Sequence, residues 1–370
     1  MSKTLNIVSF DVPYPPNYGG VIDVFYKLKA LNKLGVKIIL HTFEYGRGNQ
    51  TELKNYCKTV YYYKREKKIS QLFSKTPFIV NTRNDDQLIK NLKSNNYPIL
   101  FEGLHSTYPL LTNYFNDRIT FVRAHNIEHN YYKGLSKSEP NKLKKIYFNI
   151  EAYKLLKFQK ILKKTNYILS ISPFEQEYLI SKFPNKSIYI PVFHQNNSIE
   201  TFEGKGNFAL YHGDIGVSDN LKACYYLIKI FSKTSFPLKI ASNLTNLKLE
   251  KKIKEFSNIK FEKLTDNNQL NTLIKTAHIN ILPTFQNTGI KLKLINALFN
   301  GRFCLVNDAM VLNTGLEEIC NIANSKQEFT KQIEILFQQQ FTEKLIKEKQ
   351  NALAPFNNLK SAQKIIDLLN

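Results

Sequence analysis

Apolar and polar positions along this chain follow two periods, and the order in which the periods alternate predicts the architecture. Residues 5–10 (LNIVSF) are a short apolar run of the kind that makes a buried strand. A stretch rich in Pro, Asn and Gly follows, from Pro13 to Gly20. Val21, Val24, Phe25, Leu28 and Leu31 then share one face at helical spacing, and Gly35 stops that helix. VKIILHTF returns to the strand pattern. Strand, glycine loop, helix and strand together open a βαβ unit.

The same alphabet continues. Strands are predicted at 58–63, 98–102, 119–124 and 167–171, and a long Lys-rich helix at 140–164. Ser172 followed by Pro173 reads as an N-cap with proline at the first helical position. After YIPVF (189–193), residues 194–207 are polar and aperiodic, which predicts a linker. A second series begins at 208. It has strands at 208–213, 237–242, 259–264, 279–284 and 303–307. Its helices fall at 219–232, 247–256, 267–276, 289–299, 315–323 and 326–338, and a terminal helix spans 358–369. The fold class is therefore α/β, with two doubly wound domains at 1–193 and 208–357 and a tail helix in 358–370.

No apolar run reaches the ~18–20 residues of a membrane-spanning helix. The N-terminal apolar stretch is too short for a signal peptide and is interrupted by Asp11 and prolines. A cytoplasmic protein is expected. The four cysteines form no CxxC pair, which points to buried thiols.

Charge changes the picture more. There are 52 Lys and Arg against 30 Asp and Glu, a net charge of +22. Lys with abundant Asn is what an AT-rich genome writes on an ordinary soluble surface. The excess is uneven, however: residues 1–190 carry 30 basic and 14 acidic side chains (+16), and residues 191–370 carry 22 and 16 (+6). Only six of the basic residues are Arg, the usual reader of base edges, so no nucleic-acid partner is expected. The lopsided charge suits an N-terminal half facing an anionic surface. Residues 61–80 interleave Tyr and Phe with Lys and Arg, as a headgroup-level surface does, or form an exposed connection with ordinary lysines.

Candidate chemistry gathers just past predicted strands, at the edge where open parallel sheets bind ligands. Asn17, Tyr18, Gly19 and Gly20 follow the first strand; Glu102 and His105 follow another. Arg123, His125, Asn126, Glu128 and His129 follow a third. HNIEH lacks the HExxH spacing of a metal helix, so no metal is expected there, and these groups suit sugar or phosphate oxygens. In the second half, Gly213 and Asp214 sit in YHGDIGVSDN. Thr288, Gly289, Lys291, Lys293 and Asn296 surround the start of a helix. Lysines there oppose the helix dipole, and make sense if an anion such as a diphosphate binds at that end.

Taken together, these segments resemble the GT-B glycosyltransferases, in particular the retaining family-4 group. The resemblance rests on PYPPNYGGVIDVFYKLKALNKLG, RAHNIEH, NYILSISPFEQEYL, LYHGDIGVSDN and GIKLKLINALFNG, in that order over nearly the whole chain. It implies two Rossmann-like domains facing across a cleft, with the tail helix crossing back to the N-terminal domain. It implies a metal-independent, hexosyltransferase-type enzyme. A sugar would move from a nucleotide-diphosphate donor to a hydroxyl of a saccharide or lipid-linked acceptor, with retention, in surface-polysaccharide synthesis; the +16 N-terminal half and residues 61–80 add the expectation of peripheral contact at the inner face of the membrane.

The donor sugar nucleotide is a substrate, and no cofactor is implied. Gly213, Asp214, Thr288, Gly289, Lys291, Lys293 and Asn296 fall on the donor side. Asn17, Tyr18, Gly19, Gly20, Arg123, His125, Asn126 and Glu128 fall on the acceptor side. His105 is the implied catalytic residue, with a near-neutral pKa suited to proton transfer. Relatives carry two glutamates eight residues apart where this chain has Thr288 and Asn296. That departure keeps open an inactive GT-B scaffold binding a nucleotide sugar or a protein partner. A nucleotide-sugar epimerase is a lesser alternative.

Overall fold

A computed structural model describes residues 3–286 and 291–369 of the chain. It divides into two units: residues 3–195 with 355–369, and residues 196–286 with 291–354.

The first unit is built on seven parallel strands: β1 (Thr4–Ser9), β2 (Lys37–Glu44), β3 (Thr59–Lys64), β4 (Ile99–Glu102), β5 (Thr120–Ala124), β6 (Tyr167–Ser170) and β7 (Ser187–Tyr189). Their order across the sheet is β3-β2-β1-β4-β5-β6-β7. Successive residues point to opposite faces of a strand. Leu5 and Ile7 of β1, Leu100 of β4 and Phe121 of β5 enter one core; Val8, Phe101 and Val122 enter the other. Both faces are covered, as an all-parallel sheet requires. The helices are α1 (Gly19–Lys33), α2 (Phe78–Asn81), α3 (Asp86–Lys93), α4 (Glu128–Ser138), α5 (Lys142–Phe158) and α6 (Pro173–Lys182). Val21, Val24, Phe25, Leu28 and Leu31 of α1 line the first core, and Leu88, Leu92, Ala152, Leu155 and Leu179 line the second. Ser172 caps α6 as expected, its hydroxyl accepting from the Glu175 N–H at 3.3 Å.

The second unit has six parallel strands: β8 (Ala209–His212), β9 (Leu238–Ser242), β10 (Ile259–Lys263), β11 (Ile279–Ile281), β12 (Phe303–Val306) and β13 (Asn321–Ile322). Their order is β10-β9-β8-β11-β12-β13. Its helices are α7 (Ser218–Phe231), α8 (Leu247–Ile253), α9 (Asn267–Thr276), α10 (Leu292–Asn300), α11 (Asp308–Val311), α12 (Lys326–Gln338) and α13 (Glu343–Leu353). The tail helix α14 (Asn358–Asp367) belongs to the first unit, where Ala362, Ile365 and Leu369 join the core beneath α1.

Some elements differ from expectation. The helix expected at 315–323 is a single 3-10 turn at Glu317–Ile319 leading into β13. Left-handed φ values at Asn313 and Gly315 turn the chain, and pairing of Asn321 and Ile322 with β12 makes the segment a strand. The helix expected at 140–164 is α5, which tightens to 3-10 geometry at Gln159–Lys164. Residues 194–207 lack regular structure but are packed. His194 Nε2 donates to Phe356 O (2.8 Å) within the first unit, and Thr201 donates to Gly301 O (2.9 Å) within the second.

Candidate active site

In both sheets the strand order reverses beside the strand that opens the series, between β1 and β4 in one and β8 and β11 in the other. Loops leaving neighbouring strands part at such a point, and the carboxyl edge there is where open parallel sheets bind ligands. Each unit places its candidate residues at that edge.

In the first unit, Phe10 and Asp11 follow β1, and the Tyr18 hydroxyl donates to Asp11 at 2.6 Å. Gly19 and Gly20 begin α1, and a Cβ on Gly20 would lie 2.6 Å from the Phe10 ring, so the ring's approach requires glycine. Asn17 is exposed and accepts from Arg47 at 3.0 Å. The Phe10 ring contacts both His105 and His125, with centroids 5.3 and 5.5 Å away.

Beneath these rings lies a buried charge cluster. Lys27 donates to Asp23 (2.9 Å), one helical turn earlier, and to both oxygens of Glu102 (2.7 and 2.9 Å). Arg123 holds Asp23 through two nitrogens (3.1 and 2.8 Å) and donates to the carbonyls of Ser170, Ile190 and Pro191. Two carboxylates meet two cations, so the charges cancel. Burial pushes the Glu102 carboxyl up, but Lys27 and the His125 hydrogen bond more than reverse this, leaving it below the usual range. Arg123, expected on the acceptor side, is fully buried with its guanidinium engaged inside the protein, so its contribution is to position Asp23. His125 sits at the rim with Nε2 3.0 Å from Glu102. Asp23, Glu102 and His125 are close enough to share a metal ion. Lys27 and Arg123 already bond the carboxylates, and their positive charge makes the set a poor cation site.

His105 lies in the 3-10 turn Leu104–Ser106 after β4. Its Nδ1 is 3.8 Å from Oε1 of Glu128, the first residue of α4, and both atoms are buried without a hydrogen-bond partner. Burial pushes the Glu128 carboxyl up to about 8, against the opposing effects of Asn126 and Arg83. Burial first, then Arg83, His125 and Arg65, pushes His105 well below its ordinary value. The expected near-neutral pKa of His105 is thereby corrected: its imidazole is neutral across the physiological range. Together the pair presents a neutral acceptor and a carboxyl that holds its proton. Asn126, Glu128 and His129 also line a small pocket with Leu104, Tyr178 and Leu179.

In the second unit, Gly213 and Asp214 follow β8, and Asp214 accepts from the Gly216 N–H at 2.8 Å. Asn220, in the first turn of α7, ties this loop to α10. It donates to Asp214 O (2.9 Å) and accepts from Lys293 Nζ (3.0 Å). A Cβ on Gly213 would crowd Asn220 at 3.0 Å. Asp219 holds the loop after β11, accepting from the Thr284 hydroxyl (2.7 Å) and the Phe285 N–H (3.1 Å). Lys291 is the N-cap of α10, and Lys293 lies in its first turn. Burial lowers both ammonium pKa values, Lys293 to about 8. His212, the last residue of β8, is buried with Nε2 unpartnered; burial and then Lys293 lower it to about 3. Asn296 accepts from Asn300 at 2.9 Å. Thr288 and Gly289 lie outside the described residues.

Asp23, Lys27, His212, Asp219 and Asn220 were not singled out from the sequence. The SDN triplet opening α7 carried the one usable hint, since polar residues in a first turn can reach back to the preceding loop.

The chain is 29% identical over 362 residues to an uncharacterised 44.6 kDa protein in the cps region of Klebsiella pneumoniae, with 90% of each covered. No family model matches. Solved structures of similar fold span nearly the whole chain. A glycosyltransferase from Rickettsia africae matches with a TM-score of 0.65 at 14% identity, over 100% of this chain and 98% of that one. Anabaena HepE, in complex with UDP and glucose, matches with a TM-score of 0.66 at 10% identity, over 99% of each. A variant of S. aureus TarM, in complex with fondaparinux, α-GlcNAc-glycerol and UDP, matches with a TM-score of 0.62 at 11% identity, over 100% of each. At such identities the likeness is one of fold: two Rossmann-like units, each on a parallel sheet. This chain has the GT-B fold of the glycosyltransferases.

Proposed function

We propose that the protein transfers a hexosyl group from a nucleotide-diphosphate sugar to a hydroxyl of a saccharide or lipid-linked acceptor, without a metal and with retention, in surface-glycan synthesis. The observation that carries this is the placement of Lys291 and Lys293 at the N-terminal turn of α10. Two cations there are stripped of much of their water and set against the helix dipole. A diphosphate answers both features. The UDP in the HepE and TarM structures and the cps-region relative agree with this reading.

In the reaction, the acceptor oxygen bonds to the anomeric carbon as the bond from that carbon to the diphosphate oxygen breaks. The acceptor proton passes to a donor phosphate oxygen. Charge grows on the leaving diphosphate, where Lys291, Lys293 and the first N–H groups of α10 stabilise it. Thr288, Gly289 and the Gly213–Asp214 loop complete the donor side, with Asn296 toward the ribose. On the acceptor side are Asn17, Tyr18, Gly19, Gly20, His125 and Asn126. His105 accepts a hydrogen bond from a sugar hydroxyl, and Glu128, protonated, donates one.

A thermal-shift screen with UDP, GDP, ADP, CMP and their sugar conjugates tests this. One nucleotide should raise the melting temperature, because binding adds about 2.7 kcal/mol of stability at a hundredfold excess over Kd. The Lys291→Ala, Lys293→Ala double variant should lose the shift. No shift with any of them would count against the donor site. A second reading, a scaffold that binds the nucleotide sugar without transfer, is favoured by Asn296 standing where relatives carry a carboxylate. Binding without transfer or hydrolysis would select it.

A further inference from the structure

Helix α5 is apolar on two opposite faces. Glu151, Ala152 and Leu155 face the protein, and Tyr132 of α4 packs on Phe148 (6.0 Å between centroids). On the far side, Leu143 (79% exposed), Ile146 (56%), Ile150 (50%) and Tyr153 (58%) recur at intervals of three, four and three. At 100° per residue those four side chains form one stripe, turned away from the buried face.

A second exposed apolar group adjoins it. The 3-10 turn Ile69–Phe73 leaves Ile69 78% and Phe73 85% exposed. One hydrogen bond ties this turn to α5, from Lys154 Nζ to Leu72 O at 2.7 Å, and a second ties the start of the following helix α2, from the Phe78 N–H to Glu151 at 2.6 Å. Residues 64–78 and 142–160 together hold eleven Lys and Arg and only two acids. Of those acids, Glu66 pairs with Lys68, and Glu151 is buried and pairs with Lys154.

We infer that α5 and the Ile69–Phe73 turn form one docking face for an anionic membrane surface. A helix with an apolar stripe and flanking lysines lies in the headgroup plane, apolar side down, with its cations against anionic heads. The charge chooses among occupants. A second copy would bring an equally basic face, and like charges oppose that pairing. A nucleic acid would leave the apolar stripe wet and would meet a face with Arg65 as its only arginine. The face lies wholly within the first unit. The inference deepens the lipid-linked-acceptor reading above, but membrane binding stands apart from catalysis.

The test is co-sedimentation of the full chain with vesicles, with no donor or acceptor present. Vesicles of phosphatidylcholine with about one-third phosphatidylglycerol should bind it at low salt, and phosphatidylcholine alone should bind at least about tenfold more weakly. Added salt should release it. Ile146→Asp with Ile150→Asp, and separately Phe73→Asp, should each weaken binding by about tenfold or more. These positions are exposed, so an unchanged melting temperature checks that the variants fold. Absence of binding to the anionic vesicles overturns the inference, as does binding that the substitutions leave intact. A dimer abolished by the same substitutions, with no vesicle binding, would assign the stripe to self-association and overturn it too. Loss of vesicle binding with nucleotide binding retained would leave the transferase reading untouched, and the reverse outcome would leave the docking face standing.

Discussion

At the scale of single residues, three titratable groups carry measurable consequences. Glu128 keeps its proton to about pH 8. A carboxyl with a raised pKa gives stability that is complete below its unfolded value and is lost as pH rises through the folded one. Wild type should therefore weaken relative to Glu128→Gln between about pH 4.5 and 8, by on the order of 5 kcal/mol. Urea melts of both proteins across that window check this; parallel curves would refute it. Lys293 behaves oppositely. Its lowered pKa means that the folded state pays to keep the ammonium below about pH 8 and is relieved above it. Lys293→Met should raise the melting temperature while abolishing nucleotide binding. In wild type, nucleotide affinity should fall as pH rises past about 8. Calorimetric titration on either side of that pH reads both effects. Lys27→Met should cost about 3–5 kcal/mol, because Asp23 and Glu102 would lose a shared counter-charge where water cannot replace it.

The sequence marks His105, His125 and Glu128, since polar residues just past apolar strands are conspicuous. Lys27 was invisible because its partner Glu102 lies 75 residues away. Its one local partner, Asp23 a helical turn earlier, reads in the sequence as an ordinary helix-surface pair.

At the scale of elements, the apolar period located most strands and long helices, and the places where it failed have physical causes. The segment at 315–323 contains Leu and Ile at plausible helical spacing, yet its edge pairs with β12, and left-handed residues stand just before it (Asn313) and at its start (Gly315). Sheet pairing is a tertiary fact and overrides weak local preference. Helix α4 went unread because HNIEHNYYKGLSKS shows no apolar stripe, and it is held instead by packing on α5. The cap of α6 was legible because its chemistry is local. Ser172→Ala should cost about 1 kcal/mol, and Ser172→Asp should restore most of it. Chemical denaturation of the three proteins would show this; equal midpoints would mean that the hydroxyl bond is idle.

At the scale of the molecule, the period revealed two α/β series but not which stretches complete each unit. Residues 355–369 pack with residues 3–195 through α1, which no spacing along the chain announces. A chain ending after Ala354 should leave the face of α1 that meets Ala362, Ile365 and Leu369 exposed. Its first unit should melt early or aggregate, and adding residues 355–370 as a peptide should rescue it in part. Calorimetry of the truncated chain with and without that peptide would test this. The arrangement also fixes an order of events at the ribosome. The unit whose strands are made first waits for α14 to be translated, whereas the second unit is fully synthesised beforehand. Each nascent chain thus passes through a stage in which its later-made half is complete and its earlier-made half is not. A stop codon placed between α13 and α14 would spare the lysines of α10 and still release a protein with an unfinished first domain.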